Sequence, residues 1–352
     1  MQRRLLTCTE MAAADKSAQE DYGIPALVLM ENASRSAARF ILDLFAAGRG
    51  DCGDGMILVA AGKGNNAGDA LAAARHLFLA GIKNLHILLL RRDLGELPRI
   101  HCAVLERLGL PFTVFAEDPA QAARRVEGAS WIIDGLFGIG IRGPLRDDPA
   151  RLVAMINQSA ARVISLDVPS GLSDGFCASW PAAQADYTLS FAAPKLCLYL
   201  PLGRKAAGRV EILDAGFPPE CLERPSPAEL LQKGEVLKTL PRPRLFDYKN
   251  SRGHVAVFAG SPGTTGAALL CAEAVLRAGA GLASVFASPD VYTVLASSCR
   301  SVMVKSPGKA DEWDPSAYKA ILAGPGWGRD AGSGIQDRRA WLRRFIESGL
   351  PG

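Results

Sequence analysis

The stretch Met56-Ile57-Leu58-Val59-Ala60, followed by Gly62-Lys63-Gly64-Asn65-Asn66-Ala67-Gly68-Asp69, decides how this chain is read. Its first five residues are apolar without alternation, as in a strand buried on both faces, and the Ala-rich segment 70–80 reads as a helix. Strand, glycine-rich turn and helix start together aim unpaired backbone N–H groups and a positive helix end at one point, which suits a phosphate. A dinucleotide is the natural ligand, and a tight turn whose glycines serve only packing is the plainer alternative. As G-x-G-x-x-A the turn partly matches the dehydrogenase fingerprint, but Arg91 and Arg92 stand where an acid is required. That leaves an NADP-dependent dehydrogenase as one reading. No Lys-Ser or Lys-Thr closes the turn, so it is not a Walker loop.

Outward from this turn, the apolar runs 85–90, 131–133 and 163–166 alternate with helical segments such as 119–126. Buried parallel strands with crossover helices give this pattern, so residues 1–220 are expected to form a doubly wound, Rossmann-like α/β domain. Upstream, residues 9–40 read as two helices around Gly23-Ile24-Pro25. Downstream, Pro218, Pro219, Pro225, Pro227, Pro241 and Pro243 surround one short charged segment and place a linker at 221–243. A second α/β pattern occupies 244–352, with strands at 254–259, 282–287 and 320–323 and helices at 267–278 and 338–347. The last helix leads into Ser348-Gly349-Leu350-Pro351-Gly352 with no strand to receive it, so this domain is expected to be incomplete.

Composition sets the outer bounds. The 352 residues suit about two domains. With 49% hydrophobic and 22% charged residues the chain reads as soluble and globular. A net charge of +4, with 40 basic residues scattered among 36 acids, gives no basic stripe and no sign of a nucleic-acid partner. Eight cysteines, at 8, 52, 102, 177, 197, 221, 271 and 299, include no C-x-x-C pair, so they read as reduced core thiols rather than a zinc or redox motif. The first ten residues hold no signal-like apolar region, and no run reaches the ~20 residues that span a bilayer. A cytoplasmic protein is the default, with a homo-oligomer left open.

Two further strand ends carry acids. Trp131-Ile132-Ile133-Asp134 precedes the glycine loop 135–144, and Val163-Ile164-Ser165-Leu166-Asp167 runs into Val168-Pro169-Ser170-Gly171. An acid at the carboxyl end of a parallel strand points into the crevice where doubly wound sheets bind ligands. Asp134 can equally be a turn aspartate that satisfies local donors. Two carboxylates, an asparagine amide and a hydroxyl make an all-oxygen set suited to a hard cation and unsuited to zinc. Asp167 fits a general base if burial raises its pKa. His76, His86, His101 and His254 fall within helical or strand runs, so no histidine triad is supported.

These motifs resemble, in order, those of the NAD(P)HX epimerase (YjeF amino-terminal) family. They are Gly23-Ile24-Pro25 with Leu29-Met30-Glu31-Asn32-Ala33, the Asn65-Asn66 loop, Asp134 with its glycine loop, 167–171, and Ala185-Asp186 with Phe191 and Pro194-Lys195. The resemblance covers residues 9–216 and implies epimerisation of the R and S forms of hydrated NADH or NADPH. It would place substrate on Asn65, Asn66, Ala67, Gly68 and Asp69, on Gly138, Ile139, Gly140, Ile141, Arg142, Gly143 and Pro144, and on Asp167. Asp167 would be the acid–base residue. Potassium would lie on Asn66, Asp134 and Ser170, with the Val168 carbonyl as a further ligand. Ala67 departs from the family's glycine, and a positive φ or close approach there would weaken binding. A binding module without turnover is the alternative this departure raises. Asp167→Asn is expected to abolish turnover and leave the fold intact.

Beyond the linker, Lys249, Gly253-His254, 259–268, 278–282 and Gly324-Pro325-Gly326-Trp327-Gly328 resemble the ribokinase-like ADP- or ATP-dependent NAD(P)HX dehydratase. Ala267 and Gly326 would then belong to its hydrated-substrate side. The family's Asp-x-Asp strand end, His-Pro-Gly-Glu loop and Gly-Thr-Gly-Asp loop are not found in these residues. The expectation is a truncated sheet with unpaired edges and little or no dehydratase activity.

Overall fold

In the computed structural model, which describes residues 4–48, 55–223, 228–231, 233–240, 242, 244–328 and 338–350, the run 57–61 is buried on both faces. This strand, β1 (Met56–Ala61), sends Ile57, Val59 and Ala61 into one apolar layer and Leu58 and Ala60 into the other. The first layer is covered by α2 (Ala26–Ala46), α3 (Asn65–Leu79) and α4 (Glu96–Arg107). The second is covered by α5 (Pro119–Glu127) and α6 (Asp147–Gln158). Ahead of them stands α1 (Cys8–Glu20), which starts where a capping box closes: the Thr7 hydroxyl accepts the Glu10 N–H, and Glu10 accepts the Thr7 N–H at 2.7 Å.

The other strands are β2 (Leu85–Leu89), β3 (Phe112–Val114), β4 (Ala129–Gly135), β5 (Arg162–Leu166), β6 (Tyr187–Phe191) and β7 (Arg209–Leu213), with α7 (Pro201–Ala207) and α8 (Pro219–Leu222) after them. All are parallel, in the order β3-β2-β1-β4-β5-β6-β7. The order reverses between β1 and β4, which opens a crevice beyond their carboxyl ends. Gly62 lets that crevice close at its floor, since a Cβ there would sit 2.0 Å from the Leu136 carbonyl oxygen.

The chain divides into two compact units, Met1–Leu231 and Gln232–Gly352. The division falls inside the stretch 221–243 read as linker. Cys221 and Leu222 are buried in a cluster with Leu6 and Met11, and Leu5 N–H bonds the Ala228 carbonyl, so this part of the stretch belongs to the first unit's core and edge. Pro225, Pro227, Pro241, Pro243, Cys52, Pro351 and Gly352 lie outside the described residues.

The second unit begins with α9 (Lys233–Thr239) and holds β8 (His254–Phe258), α10 (Thr265–Arg277), β9 (Leu282–Phe286), α11 (Pro289–Ser298), β10 (Met303–Lys305), β11 (Ala320–Ala323) and α12 (Arg338–Glu347). Its strands are parallel in the order β10-β9-β8-β11. Val257 and Val285 pack under α10 and α11, while Phe258 and Phe286 join Trp313, Tyr318, Trp327 and Trp341 on the other face. Among the described residues, no helix is long and apolar enough to cross a membrane.

Candidate active site

Three strand ends and one helix start converge on a cavity of about 600 Å3 in the first unit, within the usual span of small-molecule sites, about 300–1,000 Å3. Gly64 caps α3 in extended backbone, so the N–H groups of residues 65 and 66 have no carbonyl one turn back within the helix. Asn65 lines the cavity, as do Asn66 and Asp69 from the same helix turn. The Asn66 side chain is buried, and neither its Oδ1 nor its Nδ2 has a partner within the chain. A buried amide without partners is costly, so this position is built for something the chain itself does not supply.

At the end of β4, Asp134 is fully buried and accepts four hydrogen bonds: Ser170 Oγ at 2.5 Å, Ser170 N at 2.9 Å, Ser165 Oγ at 2.8 Å and Leu136 N at 3.3 Å. Burial pushes its carboxyl up, and these donors pull it back. The chain's own groups thus use the lone pairs of Asp134, and a cation there would require the Ser170 hydroxyl to turn its proton away. The set of Asn66, Asp134 and Ser170 remains chemically suited to a hard cation, with the orphaned amide oxygen of Asn66 as its open donor.

At the end of β5, Asp167 takes a left-handed backbone, φ 64°, a region that Asp tolerates better than most residues. Its Oδ1 meets Lys195 Nζ at 2.6 Å. Lys195 is fully buried, and its ammonium also donates to the Phe191 carbonyl at 2.6 Å. Ala192, between that carbonyl and Lys195, is a second left-handed residue at φ 63°. Strained backbone on both sides of a buried ion pair is typical of functional sites. Gly138 closes the ring: a Cβ there would lie 3.2 Å from Asp167 Oδ2 and 3.3 Å from Asn66 Cβ. Burial, with Asp167 and Asp15 nearby, raises the Asp69 carboxyl well above the usual range. Burial and then Asp167 raise Asp15 of α1, which also lines the cavity.

Of the residues singled out in the sequence, Asn65, Asn66, Asp69, Gly138, Ile139, Gly140, Ile141 and Asp167 line this cavity. Others do not. Ala67 is helical, and its methyl is fully buried in the layer between α3 and the sheet, so neither a positive φ nor substrate approach is at issue there. Gly68 packs on Met30, whose sulfur would lie 2.5 Å from an added Cβ. Arg142, Gly143 and Pro144 lie on the outer part of their loop, away from the lining. Arg91 and Arg92 pair with Asp148 and Glu117 rather than facing the cavity. Ala267 and Gly326 belong to the second unit, where a Cβ on Gly326 would stand 2.9 Å from Ala267 Cβ. Lys195 and Asp15 were not anticipated as site residues. The signal for Lys195 was a lone lysine directly after the apolar stretch Phe191-Ala192-Ala193-Pro194.

Residues 26–197 match the family described as YjeF-related protein N-terminus, and residues 255–343 match NAD(P)H-hydrate dehydratase. The chain is 34% identical over 344 residues to the bifunctional NAD(P)H-hydrate repair enzyme Nnr of Moorella thermoacetica, covering 93% of this chain and 64% of the relative. It is 32% identical over 376 residues to the enzyme of the same name from Salinibacter ruber, covering 98% and 68%. The NAD(P)H-hydrate epimerase of Rhodopirellula baltica is 35% identical over 222 residues, covering 62% of this chain and 87% of that protein. Among solved structures, yeast ynu0 superposes with a TM-score of 0.52 at 24% identity over 60% of this chain and 88% of the yeast chain, a likeness of fold. The chain thus spans about two-thirds of the length of these bifunctional relatives, 64% and 68%.

Proposed function

The chain belongs to the NAD(P)H-hydrate repair family, and on that premise we propose that its first unit, the domain read at 1–220, interconverts the R and S forms of hydrated NADH or NADPH. The observation that carries this reading is Asp167, held by buried Lys195 in a cavity beside the partnerless amide of Asn66. The route this site suits is inversion at the hydrated ring carbon by breaking its C–O bond, with the ring nitrogen's lone pair stabilising the cation, and re-forming it on the opposite face. The departing hydroxyl gains a proton, and the returning water loses one. Asp167 carries that proton in both directions, and Lys195 keeps its carboxylate aimed at the ring. Asn65, Asn66 and Asp69 at the positive end of α3, with the loop 138–144, hold the dinucleotide.

Asn66, Asp134 and Ser170 would hold potassium, which when bound supplies a fixed positive charge beside the dinucleotide. With Ala67 buried in the core, no residue now speaks for a binding module without turnover, and the ion pairs of Arg91 and Arg92 weaken the dehydrogenase reading. The test is a mixture of epimers depleted in the R form, incubated with the protein with and without potassium. Re-equilibration, faster with potassium, is expected, and a persistently depleted R form refutes the reading. For the second unit, the dehydratase domain read at 244–352, Ala267 and Gly326 would face hydrated substrate, with ADP or ATP as co-substrate. Little dehydration of the S form by this polypeptide alone is expected, because the nucleotide-binding loops of the dehydratase resemblance are not among its motifs.

A further inference from the structure

Cys8 and Cys197 are 189 positions apart, yet their sulfurs lie 3.7 Å from one another, both buried. Cys8 is the first residue of α1, and Cys197 sits in the 3-10 turn Leu196–Leu198. The Asp174 carboxylate completes the group, and its three ligand atoms all lie within 4.8 Å of one another. Among the described residues this is the only group of three or more His, Cys, Asp or Glu side chains so arranged.

The spacing has a chemical meaning. Two thiolates on a tetrahedral ion with metal–sulfur bonds of about 2.3 Å stand about 3.8 Å apart. The sulfurs already occupy that edge. Each Asp174 oxygen accepts one N–H from the start of α1, from Cys8 at 2.9 Å and from Thr9 at 3.3 Å, and keeps further lone pairs. Asp174 is exposed, so it offers an entry path to the buried thiols. We propose that Cys8, Cys197 and Asp174 form a site for a thiophilic divalent cation of the zinc class, with water in the fourth position. Each thiol gives its proton to solvent and its electron pair to the metal.

The site lies against the cavity without sharing a residue with it. The Leu6 N–H bonds the Pro194 carbonyl at 3.0 Å, and the Leu196 N–H bonds the Leu6 carbonyl at 2.8 Å, so the lead into α1 already pairs with the segment that carries Lys195. A bound ion would cross-link the same two pieces of chain. Its occupancy would therefore stiffen the wall bearing Met11 and Asp15 against Lys195.

The test titrates the full chain, reduced and metal-free, with Co2+ and Cd2+, reading the thiolate-to-metal absorption band. One equivalent is expected to saturate the band. Cys8→Ser or Cys197→Ser should abolish it, Asp174→Asn should weaken binding by more than about tenfold, and Cys177→Ser, at an exposed thiol, should leave it unchanged. Should either serine variant fail to fold, mass mapping of alkylated wild-type protein decides, with Cys8 and Cys197 protected by one equivalent of Cd2+. Absence of a stoichiometric band, survival of the band in a folded Cys8→Ser, Cys197→Ser double variant, or protection of other cysteines instead would each overturn the proposal.

Discussion

The first four strands of each unit have the same order, β3-β2-β1-β4 in one and β10-β9-β8-β11 in the other. In both, the loops beyond the reversal meet through backbone: the Gly62 N–H reaches the Gly135 carbonyl at 3.4 Å, and the Gly260 N–H reaches the Pro325 carbonyl at 3.0 Å. From there the two differ. The first unit adds β5, β6 and β7, and the ends of β5 and β6 deliver Asp167 and lead to Lys195, whereas among the described residues the corresponding stretches 260–266 and 324–328 carry no ionisable side chain. The same strand order reverses in both units, and in the first the strands added beyond it bring charged groups, Asp167 and Lys195, to the cavity.

The sharpest way to break this contrast is Asp167→Asn. Epimerisation should fall by about 10²–10⁴-fold, the usual worth of a positioned proton carrier, and turnover within tenfold of wild type would remove Asp167 from the chemistry. The structure adds a stability cost to the expectation for this variant. The substitution strands the fully buried Lys195 ammonium, which should cost about 3–5 kcal/mol in urea unfolding. Asp167→Asn combined with Lys195→Met should regain much of that stability and none of the turnover.

Glycine at the two reversals gives a second comparison. Gly62→Ala drives a methyl into a backbone carbonyl that cannot move without shifting β4, so a loss of about 3 kcal/mol or more, or failure to fold, is expected. Gly260→Ala meets two side-chain carbons, the Ala268 methyl at 3.1 Å and Leu295 Cδ1 at 3.5 Å, but sits at φ 86°, so left-handed strain of about 1–2 kcal/mol should dominate. Equal costs in the two variants would show that the reversals are not packed differently.

How much was legible beforehand follows from the same physics. Strands such as β1, β2 and β4 are apolar throughout because both faces are covered, so continuous runs revealed them. β6 escaped notice because Thr188 and Ser190 interrupt its run; both are buried, and their hydroxyls bond the Ala207 and Ala193 carbonyls. β3 and β10, at three residues each, are too short for any period to show. Asp134 and Asp167 were readable as acids at strand ends. The Asp167–Lys195 pair and the Cys8–Cys197 contact were not, since each joins residues through tertiary packing that leaves no local spacing. Ala67 misled for the opposite reason: it lies in a glycine-rich run but already inside α3, facing the core.

Two strand histidines should respond to acid unequally. Burial and Arg125 push His86 of β2 down to about 4, while burial and Lys305 lower half-buried His254 of β8. His86 is held neutral, bonded to Thr113 at 2.9 Å. A depressed histidine pKa means that the unfolded chain takes up its proton first, so stability is full above about 6.5 and is lost as pH falls toward 4. The first unit should lose about 2 kcal/mol between pH 8 and pH 5. His86→Gln should remove most of that slope. A slope unchanged in that variant would assign the acid sensitivity to other groups.

The smallest expected effect concerns Asp69, whose carboxyl is raised by burial and by Asp167 and Asp15 beside the first unit's cavity. A carboxyl raised by folding favours the folded state while protonated, and that contribution disappears as pH rises through its folded value. Keeping this carboxyl beside Asp15 and Asp167 therefore costs more as pH rises, and Asp69→Asn should raise the melting temperature of the first unit, most at alkaline pH. The gain should shrink as the solution is acidified, because wild-type Asp69 then becomes neutral as well. Epimerisation should weaken in the same variant if this carboxyl contacts substrate. A variant that melts no higher than wild type at pH 8 would show that the three carboxylates are already relieved by Lys195, and that the first unit's charge cluster is not held against its own stability.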